Sequence, residues 1–214
     1  MAILWGGDTC GTYSDAVLMR DEDVVLASAK SLTTRHDLAE GVGSAVAAVL
    51  ASSGIAPQDV SLASLSTTLA TNALVEGQGA RVALVYIGFA ERDLAAQGLQ
   101  NALGGDPVLL TQGGHTHAGS EAAALNTADV AAWAKAQDVS AFAIAAQFGT
   151  RNPAHEVAAR DAVRATTGKP VTCSHELSAK LGGPKRALTA VLNARLIGLT
   201  HRLIGRAERA LRDL

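Results

Sequence analysis

The sequence contains only two cysteines, Cys10 and Cys173, and its aromatic residues amount to 3%. Two cysteines form no disulfide framework, so a reducing cytoplasm is the expected compartment. With so few aromatic residues, a surface that stacks nucleic-acid bases is not expected. The formal net charge is −2, without the basic excess typical of nucleic-acid and membrane-surface binders. Neither nucleic acid nor membrane is therefore an expected partner.

Long apolar runs are also missing. No stretch is long enough to span a bilayer, and the opening MAILWGG has neither the basic nor the apolar segment of a secretory signal. What the chain has is 214 residues, 48% of them hydrophobic, enough to bury a core in one domain or two small lobes. Abundant alanine and an excess of arginine over lysine fit a GC-rich bacterial genome.

Stretches with strand and helix patterns alternate along the chain, which predicts an α/β fold. The predicted strands cover residues 2–8, 13–21, 24–33, 60–67, 80–88, 107–114, 139–149 and 170–178. The predicted helices cover residues 37–54, 91–105, 127–138, 151–170 and a long terminal stretch from 182, with a turn into a short helix over 68–79. A lobe over residues 1–112 and a second segment over 113–214 are expected, although one domain would also fit.

The opening stretch GGDTCGTYSDAVL, residues 6–18, places glycines and aspartates where a strand should turn. If Asp8 ends the first strand and Gly11 and Thr12 form the turn, backbone N–H groups can bind phosphate oxygens. A carboxylate beside them suits hydrated Mg²⁺. A plain hairpin explains the same residues, and an equal alternative for Asp15 is to hold that hairpin together by accepting backbone N–H bonds.

The stretch from residue 66 to 85 places Thr67, Thr68, Thr71 and Asn72 between a strand and a helix. Hydroxyl and free N–H groups at a helix start form an anion or polar-substrate site. Helix capping needs only one of these residues, so the surplus favours a binding function while capping remains the alternative.

Two further features invite a function. His115 and His117, two residues apart, are candidate ligands of a divalent metal, with His155 or the pair His175 and Glu176 completing the site if the fold brings them close. A surface loop is the alternative. Arg186 follows a lysine in the first turn of the last helix, where the dipole disfavours cations, so it is either solvated or directed at an anion.

The first two stretches resemble the N-terminal half of the hydantoinase/oxoprolinase family, which includes ATP-dependent hydantoinases, oxoprolinases and ketone carboxylases. The opening is similar to the family pattern D-x-G-G-T-x-[ST]-D, and STTLATNAL at 66–74 to G-T-T-x-A-T-N-A-L. EGQGARVALVYIGF at 76–89 resembles E-x-x-G-x-x-[VT]-[AG]-L-[IV]-x-x-x-G-F. NPAHE, SHELS and KRALTAVLNA are similar to later words of the family, so the resemblance extends over nearly the whole chain.

The resemblance implies a ribonuclease-H-like α/β lobe of the actin-like ATPase type, with ATP and Mg²⁺ as cofactors. It implies hydrolysis of a small cyclic amide, such as a hydantoin or oxoproline, through phosphoryl activation of the amide oxygen. Asp8 would then contact the metal-bound water, and Gly11 and Thr12 the phosphates. The polar cluster of Thr67, Thr68, Thr71 and Asn72 would hold substrate or γ-phosphate, and Arg186 would reach the same anion.

Two departures from the family pattern matter. Cys10 stands where the family usually has glycine, which places a side chain in the phosphate turn. Family members also continue for hundreds of residues, so a C-terminal half or a second subunit, in an oligomer, is expected to complete the site. The alternatives are an ATP-dependent ketone carboxylase, a small-molecule kinase, or a non-catalytic nucleotide-binding or assembly module.

Overall fold

A computed structural model describes residues 2–33, 38–68 and 79–212. The chain forms two compact units, one of Met1–Gln78 with Leu199–Leu214 and one of Gly79–Gly198. The loop near residue 112, where the sequence suggested a boundary, lies within the second unit, because the strand that precedes it pairs in the same sheet as later strands. Each unit has its own sheet.

The first unit contains a four-stranded mixed sheet. Its strands are β1 (Ile3–Thr9), β2 (Tyr13–Arg20), β3 (Val24–Leu32) and β4 (Val60–Thr67), in the order β3-β2-β1-β4. Consecutive strands β1 to β3 pair antiparallel, whereas β4 is parallel to β1. Helix α1 (Leu38–Ser53) and a 3₁₀ turn (Pro57–Asp59) connect β3 to β4. All five predicted elements are confirmed.

Helix α1 covers one face of this sheet. Because side chains alternate along a strand, Trp5 and Leu18 point to the covered face and are buried with Val42, Val46 and Val49 of the helix. The helix is followed by Gly54, whose positive φ of 68° suits a residue without a side chain. The opposite face of the sheet carries the alternate residues, and this is where the exposed Asp8 of β1 lies, whereas Thr9 is buried on the covered side and bonded to Ser14.

The second glycine of the opening GGD is required by packing. A Cβ on Gly7 would come within 2.4 Å of the buried Trp5 ring, whereas one on Gly6 would approach Val17 no closer than 3.2 Å. We therefore expect Gly7→Ala to lower the free energy of unfolding by about 1–3 kcal/mol, and Gly6→Ala to lower it less. Thermal unfolding of both variants checks this order, and equal melting temperatures would contradict it.

The second unit contains a parallel sheet with helices on both faces. Its strands are β5 (Val82–Ile87), β6 (Val108–Thr111), β7 (Ala141–Ala146) and β8 (Val171–Cys173), in the order β6-β5-β7-β8. Its described α-helices are α2 (Leu99–Leu103), α3 (Thr127–Lys135), α4 (Ala154–Thr167), α5 (Ser174–Leu177) and α6 (Gly183–Arg212), the last extending beyond this unit. Every residue of β5 and β7 is buried, as expected for central parallel strands.

The two faces of β5 and β7 pack into separate cores. One core places Val85 and Phe142 against α3 and α4, and the other places Leu84 and Tyr86 against α2 and α6. Asn126 caps α3 through its side chain. Gly168, in the left-handed conformation, ends α4 as the sequence predicted.

Two predicted elements differ from the structure. The helix predicted over 91–105 is a 3₁₀ segment (Glu91–Gly98) followed by the short α2, because Gln97 and Gly98 adopt φ of 59° and 74°, outside the helical range. The strand predicted over 170–178 ends at Cys173, where α5 begins. The short helix predicted over 68–79 falls almost entirely outside the described residues.

The α/β class is confirmed: the described residues form a mixed sheet, a second, parallel sheet and flanking helices. Among the helices that the structure describes, none is both long and apolar enough to cross a membrane.

Candidate functional site

The two polar stretches of the sequence meet at one edge of the first sheet. Because β1 and β4 are parallel neighbours, their carboxyl ends lie together, with Asp8 opposite Ser66 and Thr9 opposite Thr67. The Ser66 hydroxyl donates a hydrogen bond to Asp8 Oδ1, and the Thr68 N–H donates to the Thr9 carbonyl oxygen at 3.3 Å. Residues 58 positions apart therefore form one polar edge.

A groove of about 640 Å³ lies on the sheet face opposite α1. Gly6, which has no side chain, forms part of its floor. Its polar lining comes from Asp8, Asp15, Ser28, Lys30, Ser64 and Ser66. Asp8, Ser64 and Ser66 are exposed. The groove thus offers carboxylate, hydroxyl and ammonium groups to a ligand.

Asp15 and Lys30 face each other across β2 and β3. Lys30 Nζ lies 3.2 Å from Asp15 Oδ1 and 5.0 Å from the centre of the Tyr13 ring. Since both partners are about half exposed, this ion pair contributes less than about 1 kcal/mol to stability. Its charges are therefore available to a ligand at little cost. Sequence reasoning missed Lys30 and Ser66, because only the strand register places them beside the two aspartates.

The hairpin turn between β1 and β2 exposes Gly11 and Thr12, as predicted. Cys10 closes this turn: its N–H and its thiol both donate to the Tyr13 carbonyl oxygen, at 3.0 and 3.2 Å. The backbone amides of Thr12 and Tyr13 hold the pKa of the Cys10 thiol below its ordinary value, because they donate to the thiolate. The Cys10 sulfur therefore competes with a bound phosphate for the backbone amide of Thr12, which belongs to the predicted phosphate turn.

This arrangement predicts selective alkylation of Cys10. Iodoacetamide should modify Cys10 at a pH below that needed for an ordinary cysteine, whereas Cys173 should resist modification, because it is buried and burial raises its pKa to about 12. Peptide mass spectrometry over a pH series measures both rates in one sample. Equal rates for the two thiols would contradict the prediction.

Of the predicted polar cluster, Thr67 and Thr68 lie at the carboxyl end of β4 and are exposed. Thr71 and Asn72 lie outside the described residues.

A second polar centre lies at the carboxyl ends of β7 and β8. Glu156 is fully buried there. Its Oε1 accepts from Ala146 N–H at 2.8 Å and Ser174 Oγ at 2.7 Å, and its Oε2 accepts from His175 N–H at 3.0 Å and Nδ1 at 2.7 Å. Burial alone would raise the pKa of Glu156, but these hydrogen bonds, led by His175, outweigh burial and hold that pKa below its ordinary value.

Arg186 belongs to this second centre. Its guanidinium is buried and donates to the carbonyl oxygens of Ala146 at 2.7 Å, Lys180 at 3.0 Å and Leu181 at 2.7 Å, and to Ser174 Oγ at 3.2 Å. Nε, Nη1 and Nη2 thus all donate within the protein, where they join the end of β7 to Ser174 and to the segment after α5. The contact of Arg186 with an anion stays a prediction.

Three of the histidines suggested as metal ligands lie in two segments: His115 and His117 follow β6, and His155 is at the start of α4. His115 is buried and its ring packs 4.5 Å from that of His155, whereas His117 is exposed. His155 Nδ1 accepts from Gly114 N–H at 2.9 Å, so its Nε2 carries the proton and donates to Glu121 at 3.0 Å. Burial, together with His155, lowers the pKa of His115. The sequence suggested His155 as a companion of His115, and the fold does bring these two together.

Within the described ranges, one group of three metal-ligating side chains converges, and it consists of Glu156, Cys173 and His175. Four donors already occupy the carboxylate of Glu156, and the Cys173 thiol donates to the Glu156 carbonyl oxygen at 3.6 Å. Hydrogen bonds therefore satisfy the Glu156 carboxylate and the Cys173 thiol as they stand. A metal at His115 and His117 stays a prediction.

Comparison with known proteins identifies relatives of this fold. An ATP-dependent caprolactamase from Pseudomonas jessenii has a TM-score of 0.77 at 27% identity, over 97% of this chain and 33% of its own. A nucleotide-free acetone carboxylase has a TM-score of 0.73 at 18% identity, over 99% of this chain and 34% of its own. The chain thus spans about a third of the length of both. No curated protein matches the sequence significantly.

A family profile described as the hydantoinase/oxoprolinase N-terminal region matches residues 6–167. The match includes the opening turn, the polar edge of the first sheet and Glu156. The chain belongs to the hydantoinase/oxoprolinase family.

Proposed function

We propose that this chain is the N-terminal nucleotide- and substrate-binding part of an ATP-dependent hydrolase of small cyclic amides. The observation that carries the proposal is the exposed carboxylate of Asp8, which lies beside the hairpin turn at the carboxyl ends of two parallel strands. Ligands of α/β sheets bind outside the carboxyl ends of parallel strands.

The groove residues suit a nucleotide phosphate with its metal. Its volume of about 640 Å³ falls within the range of small-molecule sites, about 300–1,000 Å³. Asp8 offers the oxygen ligand and water contact that Mg²⁺ prefers, and Lys30 offers a positive charge to phosphate oxygens. In the proposed reaction ATP supplies the phosphoryl group that turns the amide oxygen into a leaving group, and Mg²⁺ offsets its charge.

The chain's own residues position these groups. Ser66 orients Asp8 by donating to it, and Gly11 and Thr12 present the exposed turn to phosphate. Thr67 and Thr68 lie at the same edge, where they would hold the substrate or the transferring phosphoryl group. Thr71 and Asn72 are proposed for the same role on the resemblance of STTLATNAL alone.

The substrate class follows from the relative at 27% identity, the caprolactamase, because caprolactam is a cyclic amide. Since the chain spans about a third of the solved relatives, we place the remainder of the active site on a C-terminal half or a second subunit.

The test is to incubate the complete protein with ATP, Mg²⁺ and a panel of caprolactam, hydantoin and 5-oxoproline. Ring opening with one ADP formed for each product molecule is expected, and no ring opening without ATP. A parallel assay contains acetone with bicarbonate, and another contains sugars and polyols. Carboxylation or sugar phosphorylation without amide ring opening would overturn the proposal and favour the corresponding alternative reaction. ATP binding without any turnover would favour a non-catalytic module.

A further inference from the structure

We propose that His175 is the proton-transfer residue of this hydrolysis and that Glu156 is its positioning residue. The inference rests on the proposed function, and it concerns the carboxyl edge of the second sheet, outside the phosphate groove.

The first argument is the fixed orientation of the His175 ring. Glu156 Oε2 accepts from His175 Nδ1 at 2.7 Å and from the His175 backbone N–H at 3.0 Å. An ionised carboxylate only accepts hydrogen bonds, so Nδ1 must carry a proton. In the neutral ring Nε2 is then the basic nitrogen, which is the tautomer that a general base requires.

The second argument is that Nε2 remains available. His175 Nε2 has no hydrogen-bond partner among the residues that the structure describes, and the side chain is 18% exposed. This contrasts with His155 in the same unit, whose two ring nitrogens are both occupied by Gly114 and Glu121. Of these two carboxylate-bound histidines, only His175 offers a nitrogen to a substrate.

The third argument is that several groups fix the position of the Glu156 carboxylate. Its second oxygen accepts from Ser174 and Ala146, and the buried Arg186 in turn donates to Ser174 Oγ. A Cβ at position 149 would come within 2.3 Å of Glu156 Oε1, so glycine is required there. Such an environment keeps the carboxylate charged and rigid, as orienting carboxylates of catalytic histidines are.

The position in the fold agrees with a catalytic role. Ser174 and His175 follow the last residue of β8 at the carboxyl edge of a parallel sheet, where ligands of such sheets bind. Glu156 of α4 and Cys173 of β8 are the titratable groups that converge with the ring among the described residues. Arg186 of α6 reaches the same centre through Ser174, and Arg160 of α4 pairs with Glu176, the residue after His175.

The proposed step balances as follows. Nε2 takes a proton from the attacking water while the water oxygen forms a bond to the amide carbon. The carbon–nitrogen bond of the ring then breaks with its electron pair on nitrogen, and Nε2 returns the proton to that nitrogen. The added hydroxyl loses its proton to solvent, so the carbon, whose other oxygen carries the phosphoryl group from ATP, is left as an acyl phosphate. A second water then cleaves the acyl phosphate and releases the carboxylate and inorganic phosphate. His175 therefore ends the cycle in its starting state, and no oxidant or reductant is needed.

The deciding variant is His175→Asn in the complete protein. An asparagine amide keeps an N–H donor near the Nδ1 position for Glu156 but removes Nε2. We expect kcat for ring opening to fall by at least about 100-fold, with the KM for ATP within about threefold of wild type and added imidazole restoring part of the rate. His201→Asn, at an exposed position of α6, is the matched control.

Each outcome decides something. A His175→Asn protein with a normal melting temperature and a kcat within threefold of wild type would overturn the inference. The pair of Glu156 and His175 would then have a structural role only. Lost activity without imidazole rescue, accompanied by a large fall in melting temperature, would also assign the ring to structure. If the wild-type protein opens no cyclic amide with ATP, the proposed function fails, and this inference fails with it. That case is recognised by the wild-type assay alone.

Discussion

Asp8→Asn in the complete protein is expected to lower ATP-dependent ring opening by about 100-fold to 1,000-fold. The substitution keeps an oxygen that can accept from Ser66 but removes the negative charge that would hold the metal-bound water. Because Asp8 is exposed at the edge of its sheet, the fold should survive. Turnover is measured with saturating amide over a range of ATP and Mg²⁺ concentrations, and the melting temperature is measured in parallel.

Asp59→Asn is the control for this prediction. Asp59 is also exposed but lies immediately before β4, at the end of the strand away from the polar edge. It should retain wild-type turnover. If Asp8→Asn retains it too, the phosphate and metal assignment of the opening turn is wrong. If Asp8→Asn loses turnover and higher Mg²⁺ restores part of it, the loss is traced to the metal contact.

Glu156→Gln is expected to destabilise the protein by about 3–5 kcal/mol, the cost of removing one partner from a buried charged network. Glutamine has the size of glutamate, but its amide group must face either the donors from Ala146 and Ser174 or those from His175. The amide NH₂ of the glutamine then faces N–H or O–H donors in a buried site. Arg186 also loses the negative charge of the Glu156 carboxylate. Urea unfolding of the variant and of wild type measures the difference.

Glu176→Gln is the matched control, since Glu176 is 44% exposed in its side chain and pairs with Arg160 at the surface. Its effect should stay within about 0.5 kcal/mol. A single unsatisfied buried hydrogen-bonding group costs about 1–3 kcal/mol. If Glu156→Gln lowers the free energy of unfolding by less than about 1 kcal/mol, the network does not stabilise the fold.

The Glu156 network also predicts a pH dependence. The folded-state pKa of Glu156 lies below its ordinary value, so the unfolded chain takes up this proton at the higher pH. The stabilisation is therefore complete above the unfolded value of about 4.3 and is lost as the pH falls through the folded value. Wild type and Glu156→Gln should accordingly converge in stability on acidification below pH 4.3, and a difference that grows there would contradict the assignment.

Several elements followed from local pattern alone. The strands of the first sheet were predictable from alternation, and the central strands of the second from continuous apolar runs, because burial of one face or of both leaves different patterns. The structure of the segment over 91–105 was not predictable from its pattern. Gln97 adopts a left-handed conformation that interrupts the helix, and glutamine is not a residue type that indicates this conformation. The helical turn that follows Cys173 was missed because a polar sequence after a strand has no period to read.

The residues of the candidate site also fall into those that the sequence could reveal and those that only the structure reveals. The motif at Asp8 and the threonines after β4 could be found in the sequence, because turn glycines and clustered hydroxyls are unusual in an apolar chain. Lys30 and Ser66 could not, since they belong to the site only through strand register. Arg186 was noticed for its charge, but only the fold shows that its guanidinium binds backbone carbonyls.

The sequence by itself determined the α/β class, the family and the polar stretches at the ends of two strands, since these depend on local composition and short-range order. The tertiary structure decided which of those residues meet. Parallel pairing of β1 with β4 joins Asp8 to Ser66 across 58 positions, and the approach of α4 to β8 joins Glu156 to His175. Such contacts depend on sheet order and helix packing over long chain separations, which no short stretch of sequence specifies.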